Sequence, residues 1–195
     1  MSEPNEVLRY FKAETGGIVH HSQLGNTVDT AQRFRVDKPD PRQFVPAEII
    51  YHDPRYENEW GKLDYATPGS AAVDLRAAID APVVLNPGEC KMISSGVAIH
   101  LNNPNFMLNT HPRSGLGYKN GIVLGNLTGV IDSDYTGTIG IPLWNRSDVP
   151  FTVNPGDRIS QLVVVPVWHL ALKEVESFSA SSERGDSGWG SSGVK

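Results

Sequence analysis

The chain has 195 residues, 39% of them hydrophobic and 20% charged, which describes an ordinary globular protein long enough to bury one full core. A net charge of -5 at pH 7 disfavours a long polyanion, so direct nucleic-acid binding is not expected, whereas a small phosphorylated ligand needs only a few local cations. The single cysteine, Cys90, excludes an intramolecular disulfide. No apolar run near the start resembles a signal peptide and Leu162–Trp168 is too short to cross a bilayer, so the expectation is a cytoplasmic protein that does not bind membranes.

Residues 1–46 read as an appendage. Val7, Leu8 and Phe11 are spaced for one face of a short helix, but Gly16, Gly17 and the Pro39–Pro41 segment interrupt anything longer. His20 and His21 are adjacent and lack a cysteine or an i, i+4 partner, which argues against a metal site. From Ala47 onward the chain becomes short β-like runs punctuated by Gly, Pro and Asn, from AEIIYHD through KMISSGVAIHL and GTIGIPLW to SQLVVVPVWHLAL and EVESF, with no long amphipathic helix. That spacing predicts an all-β jelly roll or barrel over residues 47–176. Seven serines and four glycines among the nineteen residues Ser177–Lys195 predict a flexible arm, though one that carries a guanidinium, Arg184, and an indole, Trp189.

The stretch GNLTGVIDSDYTGTIGIPLWN, from Gly125 to Asn145, has two apolar arms around a polar turn and reads as a β-hairpin. Asp132 directly follows Val130 and Ile131. It and Asp134 are either turn residues bonding nearby amides, or Asp132 is a general base beside the aromatic wall of Tyr135. HPRSGLG places Arg113, Ser114, Gly115 and Gly117 where backbone N–H groups, a hydroxyl and a guanidinium can meet phosphate, or where a plain turn carries a surface arginine. No GxxxxGK[ST] or GxSxG pattern occurs, which speaks against a P-loop or a serine hydrolase. Asp74 alternates with Val73 and Leu75, so it faces either a polar pocket or an arginine such as Arg76. Asp157 and Arg158 are spaced for a surface ion pair, Gln161 opens an apolar strand, and the Asn126 amide suits a pyrimidine edge.

Five of these segments, SAAVDLRA, PRSGLG, GNLTGVIDSDYTG, PGDRISQL and ERGDSGWGSSG, occur in one order that resembles the trimeric dUTPase family over Ala47–Lys195, about three quarters of the chain. The resemblance implies a jelly roll assembled as a homotrimer, with sites built from neighbouring subunits and closed by the C-terminal arm. It implies hydrolysis of dUTP to dUMP and pyrophosphate with Mg2+ held mainly by the triphosphate, limiting uracil in DNA and supplying dUMP for dTMP synthesis. By the same resemblance, Asp132 activates water, Tyr135 packs on the deoxyribose and excludes a 2'-hydroxyl, and Asn126 with the backbone of Val130, Ile131 and Gly140 reads uracil. Arg113, Ser114, Gly115 and Gln161 bind phosphates, Arg184 clamps the γ-phosphate side, Trp189 stacks over the base, and Asp74 organises the metal's water shell.

The chain departs from the family pattern at Ala72 and Ser187, where glycine is common, at Trp189, where phenylalanine is usual, and at Pro142, which must lie where no ladder donor is needed. A dCTP deaminase shares the fold but by resemblance carries a glutamate near Pro142. The other alternative is a nucleotide sensor in which residues 1–46 contact an unidentified partner.

Overall fold

The computed structural model describes residues 44–182 and 185–186. The helix and histidine readings before residue 44, and Arg184, Ser187 and Trp189, lie outside the described residues. Ten strands and two short helices follow in order: β1 (Glu48–Tyr51), α1 (Arg55–Asn58), β2 (Val73–Arg76), β3 (Val83–Leu85), β4 (Cys90–His100), β5 (Phe106–Pro112), α2 (Ser114–Asn120), β6 (Ile122–Leu124), β7 (Gly129–Ile131), β8 (Thr138–Asn145), β9 (Phe151–Val153) and β10 (Arg158–Pro166). They form two four-stranded antiparallel sheets, ordered β1-β4-β8-β6 and β2-β10-β5-β7, with β3 and β9 paired as a small third sheet. This is the expected all-β jelly roll. No helix among the described residues is long and apolar enough to cross a membrane.

Period-two alternation builds the core between the sheets. In β8, Ile139, Ile141 and Leu143 are buried while Thr138 and Gly140 face outward, and Leu75, Leu108 and Leu162 meet them from the second sheet. Asn145, fully buried at the end of β8, leaves nothing unpaired. Its Nδ2 donates to the carbonyls of Leu85 (2.9 Å) and Val149 (2.8 Å), and its Oδ1 accepts from the N–H and hydroxyl of Ser147.

Three differences from the sequence reading have physical causes. The hairpin does not form: β7 pairs with β5 in the second sheet, whereas β8 pairs with β4 and β6 in the first, so residues 132–137 cross between sheets. A three-residue strand with one glycine offers little pairing of its own, and the buried Ile139–Leu143 side chains commit β8 to the other layer. HPRSGLG is not a plain turn, because α2 begins at Ser114 with Arg113 as its extended N-cap residue. HLAL and EVESF form no strand. Among the described residues, the last tether of this segment to the sheets is Val167 N–H to the Asn105 carbonyl at 2.7 Å, and Trp168, Leu170, Leu172 and Phe178 are left exposed.

Pro142 resolves as expected. Its carbonyl accepts from Gly125 N–H at 2.7 Å, one residue beyond β6; a strand residue's N and O point to the same side, so the missing donor faces the frayed end of the β6 ladder and costs the β4–β8 ladder nothing. Ala72 needs no left-handed backbone, so its methyl is tolerated where glycine is common.

The junction of β1 and α1 is held by Gly96, which sits at a register shift in β4 with φ +70°. Its carbonyl accepts from His52 and Asp53, and an added Cβ would lie 2.6 Å from that of Ala78 and 2.9 Å from that of Asp53. Beside it, Arg55 donates Nε to Asp53 Oδ1 at 2.8 Å and Nη1 to the Ile79 carbonyl, with its guanidinium 4.7 Å from the Trp60 ring centroid. Gly96→Ala combines overpacking with a disfavoured φ and is expected to cost at least about 2 kcal/mol in chemical denaturation; an unchanged midpoint refutes the close-approach reading.

The Arg55 hydrogen bond holds the Asp53 carboxyl below its usual 3.8. A depressed folded-state value gives stabilisation that is full above pH 3.8 and lost as pH falls through the folded value. The Tm gap between the wild type and Asp53→Asn is therefore expected to be largest near neutrality and to shrink below about pH 4. A gap independent of pH from 7 to about 3 contradicts it.

Candidate active site

Sheet register brings the anion-binding candidates together. In β10, Gln161 lies opposite Asp74 of β2 on one side and His111 of β5 on the other, so the three side chains share the outer face of the second sheet. Leu75, Ser160 and Leu162 point inward, and the outer row is half-buried. Asp74 is engaged twice: Oδ1 accepts from Arg113 Nε at 2.8 Å, and Oδ2 accepts from Arg113 Nη2 at 3.4 Å and Arg158 Nη1 at 3.2 Å. Ser114 and Gly115 follow, exposed in the first turn of α2. Arg113 and Arg158 also line a cleft of about 290 Å³ with Asn120, Phe151 and Asp157.

The partner of Asp74 is thus another arginine than Arg76, whose Nη1 donates to the Gly156 carbonyl at 2.8 Å. Arg158 does not pair with Asp157 either. Asp157 Oδ2 accepts from Asn154 N–H at 2.8 Å and closes the turn before β10. Arg158 was therefore missed as a member of this cluster. Its signal was its place as the first residue of the strand that pairs with β2, which becomes readable only once the register is known.

The second group sits on the crossover. Asn126 is exposed in the loop before β7, where Leu127, also exposed, adopts φ 63°, and Thr128 N–H donates to the Asn126 carbonyl at 2.7 Å. A leucine in the left-handed region costs on the order of 1–2 kcal/mol, so the loop geometry is imposed by its surroundings. Thr128 Oγ1 supplies part of that restraint by donating to Asn109 Oδ1 and the Thr110 carbonyl. Val130 is exposed and Ile131 half-buried at the end of β7, and Gly140 is exposed in β8.

Asp132 is exposed rather than buried. Its carbonyl accepts from Tyr135 N–H at 3.2 Å, while among the described residues no hydrogen bond or ion pair occupies its carboxylate. The Tyr135 hydroxyl donates to the Thr138 carbonyl at 3.1 Å, and its ring lies over Gly137, where a Cβ would sit 2.6 Å from the ring's Cζ. With its hydroxyl engaged, the tyrosine is fixed as a flat apolar surface beside a free carboxylate.

The two groups do not meet within one chain. Following the register, Asp132 is level with Val165, four residues along β10 from Gln161 and two strands away. At about 3.4 Å per residue and 4.8 Å per strand, that separation is about 17 Å. No group of three or more His, Cys, Asp or Glu residues able to hold a metal occurs among the described residues.

Comparison with known proteins gives one family. The dUTPase family model matches residues 58–193. The deoxyuridine 5'-triphosphate nucleotidohydrolase of Tolumonas auensis is 53% identical over 146 residues, covering 75% of this chain and 96% of that protein. Among solved structures, a point mutant of the dUTPase of Staphylococcus bacteriophage 80alpha with dUpNHpp superposes with a TM-score of 0.67 at 27% identity, covering 77% of this chain and all of that one. A dUTPase mutant from phage phi11 of S. aureus, described with a structural Mg(II) ion, matches with a TM-score of 0.59 at 24% identity, covering 69% of this chain and 99% of that one. A fold, a motif order and half of all aligned residues held in common make the chain a member of the dUTPase family.

Proposed function

We propose that Asp132 is the general base, and the Asp74–Arg113–Gln161 face the phosphate subsite, of a dUTP diphosphatase. Hydrolysis of dUTP to dUMP and pyrophosphate is the activity of this family and of this chain. The observation that carries the residue assignment is the contrast between two carboxylates. Asp74 is consumed by two guanidinium groups, whereas Asp132 is exposed and unpaired beside an immobilised aromatic ring. A free acceptor can take a proton from water; one held by arginines orients cations instead.

The remaining roles follow from what each side chain offers. The Asn126 amide, held by a strained loop, presents a donor and an acceptor to a uracil edge, together with the backbone of Val130, Ile131 and Gly140. The Tyr135 ring packs on the sugar and leaves no room for a 2'-hydroxyl. Arg113, Ser114, Gly115 and Gln161 donate to phosphate oxygens as negative charge builds on them in the displacement. Arg184 and Trp189, outside the described residues, are assigned to the arm that covers phosphate and base.

Mg2+ fits this donor set in one way. With three hydrogen bonds from two guanidinium groups already arriving at Asp74, little of its carboxylate is left for bidentate chelation, which favours an ion carried by the substrate's phosphates with Asp74 in its outer sphere. There it would supply charge neutralisation to the leaving pyrophosphate.

The 17 Å between the two groups supports a shared site, in which the crossover of one copy faces the phosphate row of another in a homotrimer. The unpaired apolar segment after β10 supports the same assembly, since exposed Trp168, Leu170, Leu172 and Phe178 require cover. The division we adopt is an extension over 1–46, a catalytic jelly roll over 47–176 and an arm over 177–195, in a cytoplasmic enzyme. Asp132→Asn is expected to lower pyrophosphate release from dUTP by at least about a hundredfold while dUpNHpp binding stays near the wild-type value. Near-normal turnover removes Asp132 from its role.

A further inference from the structure

We propose that His111 is an additional phosphate-binding side chain that donates a hydrogen bond to the triphosphate next to Gln161. The inference rests on the phosphate-subsite reading above and adds to it a residue that none of the motif assignments includes.

Register places the residue. His111 is directly opposite Gln161, and Gln161 is directly opposite Asp74, so the three project from one face of three adjacent strands, with neighbouring Cβ atoms about 5 Å apart. Two residues further along β5 the chain reaches Arg113, which bonds to Asp74 at the other end of the row. An anion reached by the Gln161 amide therefore lies within one side-chain spacing of the imidazole.

The hydrogen-bond inventory of the row is the second observation. Asp74 is satisfied by Arg113 and Arg158. Asn109, in the next outward-facing position of β5, is engaged by Thr128. Gln161 and His111 are half-buried, yet among the described residues neither side chain has a hydrogen-bond partner, and Ser160 Oγ meets only the His111 carbonyl. Neither side chain has a polar atom that is both buried and unpaired, so both keep their hydrogen-bonding atoms open to solvent and available to a ligand on this face. Gln161 offers amide N–H groups. The imidazole offers one N–H donor in either neutral tautomer and two when protonated, and phosphate oxygens are acceptors of the matching kind.

An apolar residue at this position would pack against the neighbouring Val163 side of the face and would need no ligand. His111 adds nothing to the core, because Thr110 and Pro112 are the inward-directed neighbours. Its chemistry is therefore directed at whatever occupies the outer face.

The test is calorimetric binding of dUpNHpp and of deoxyuridine, which lacks phosphates, to the full chain carrying His111→Leu, His111→Gln or Gln161→Ala. The expected result is a loss of about tenfold in dUpNHpp affinity for His111→Leu, the worth of one charge-assisted hydrogen bond. His111→Gln, which restores an N–H donor, recovers most of it, and deoxyuridine binding is unchanged in all variants. If Gln161→Ala weakens dUpNHpp but His111→Leu does not, the inference about His111 fails and the phosphate subsite stands. If neither substitution changes dUpNHpp affinity, the subsite reading itself fails. Equal losses for dUpNHpp and deoxyuridine in both His111 variants make the residue structural and overturn the proposal.

Discussion

The Asp74 carboxylate is the interaction on which the outer face of the second sheet depends. It gathers Arg113, at the exit from β5, and Arg158, at the entry to β10, onto β2, so one side chain ties together the ends of three strands that the backbone ladders already hold side by side. Its side chain is 19% exposed and that of Arg113 is 27%, which places the pair where solvent screens less than at an open surface. Two guanidinium groups converge there on one carboxylate, with Asp157 lining the same cleft, in a chain whose net charge is -5.

The base side works through restraint of a different kind. Residues 132–137 bridge two sheets, so the ends of the segment are anchored in separate layers while its middle is held by two local bonds, Tyr135 N–H to the Asp132 carbonyl and the Tyr135 hydroxyl to the Thr138 carbonyl, and by one long-range bond, Asn102 N–H to the Ser133 carbonyl at 3.0 Å. Leu127 extends the pattern upstream, being held in a left-handed conformation that only the surrounding loop and the Thr128 bonds sustain. Strain of this sort persists where the fold over-determines a position, and here it fixes the loop that carries Asn126.

Alternation made β8 legible, because Ile139, Ile141 and Leu143 repeat at the strand period and their burial follows from it. The same reading assigned β7 to β8 as a hairpin and was wrong, since apolar arms on either side of a polar turn specify two strands but not which strand each pairs with. Pairing is decided by long-range burial, and β7 found β5. Arg158 shows the same limit at a single residue. Next to Asp157 in sequence, it pairs instead with Asp74, 84 residues away, while Asp157 is drawn into a turn by Asn154. The glycines of PRSGLG were open to two readings, an anion-binding loop or a plain turn, and the plain turn is excluded because one helical turn closes there through Gly117 N–H to the Arg113 carbonyl at 2.9 Å. Asp74, Arg113, Ser114, Gln161, Asn126, Asp132 and Tyr135 were all recognisable as candidates from residue type and motif order; which of them touch was not.

That distinction between candidate and contact bears on how the site is assembled. In one chain the β2-β10-β5 row and the 132–137 crossover lie at different heights along their common sheet, about 17 Å apart, so no rotamer change unites them. Closing a 17 Å gap by hinge motion would require breaking the β5–β7 ladder or the β8 core, both of which hold the crossover in place. Pairing unlike faces of identical copies needs neither. Each copy then contributes its phosphate row to one neighbour and its crossover to another, and a closed ring leaves no half-site unfilled. The rigidity that keeps Asp132 and Gln161 apart within the chain is, on this reading, what lets them be presented to each other at fixed geometry between chains.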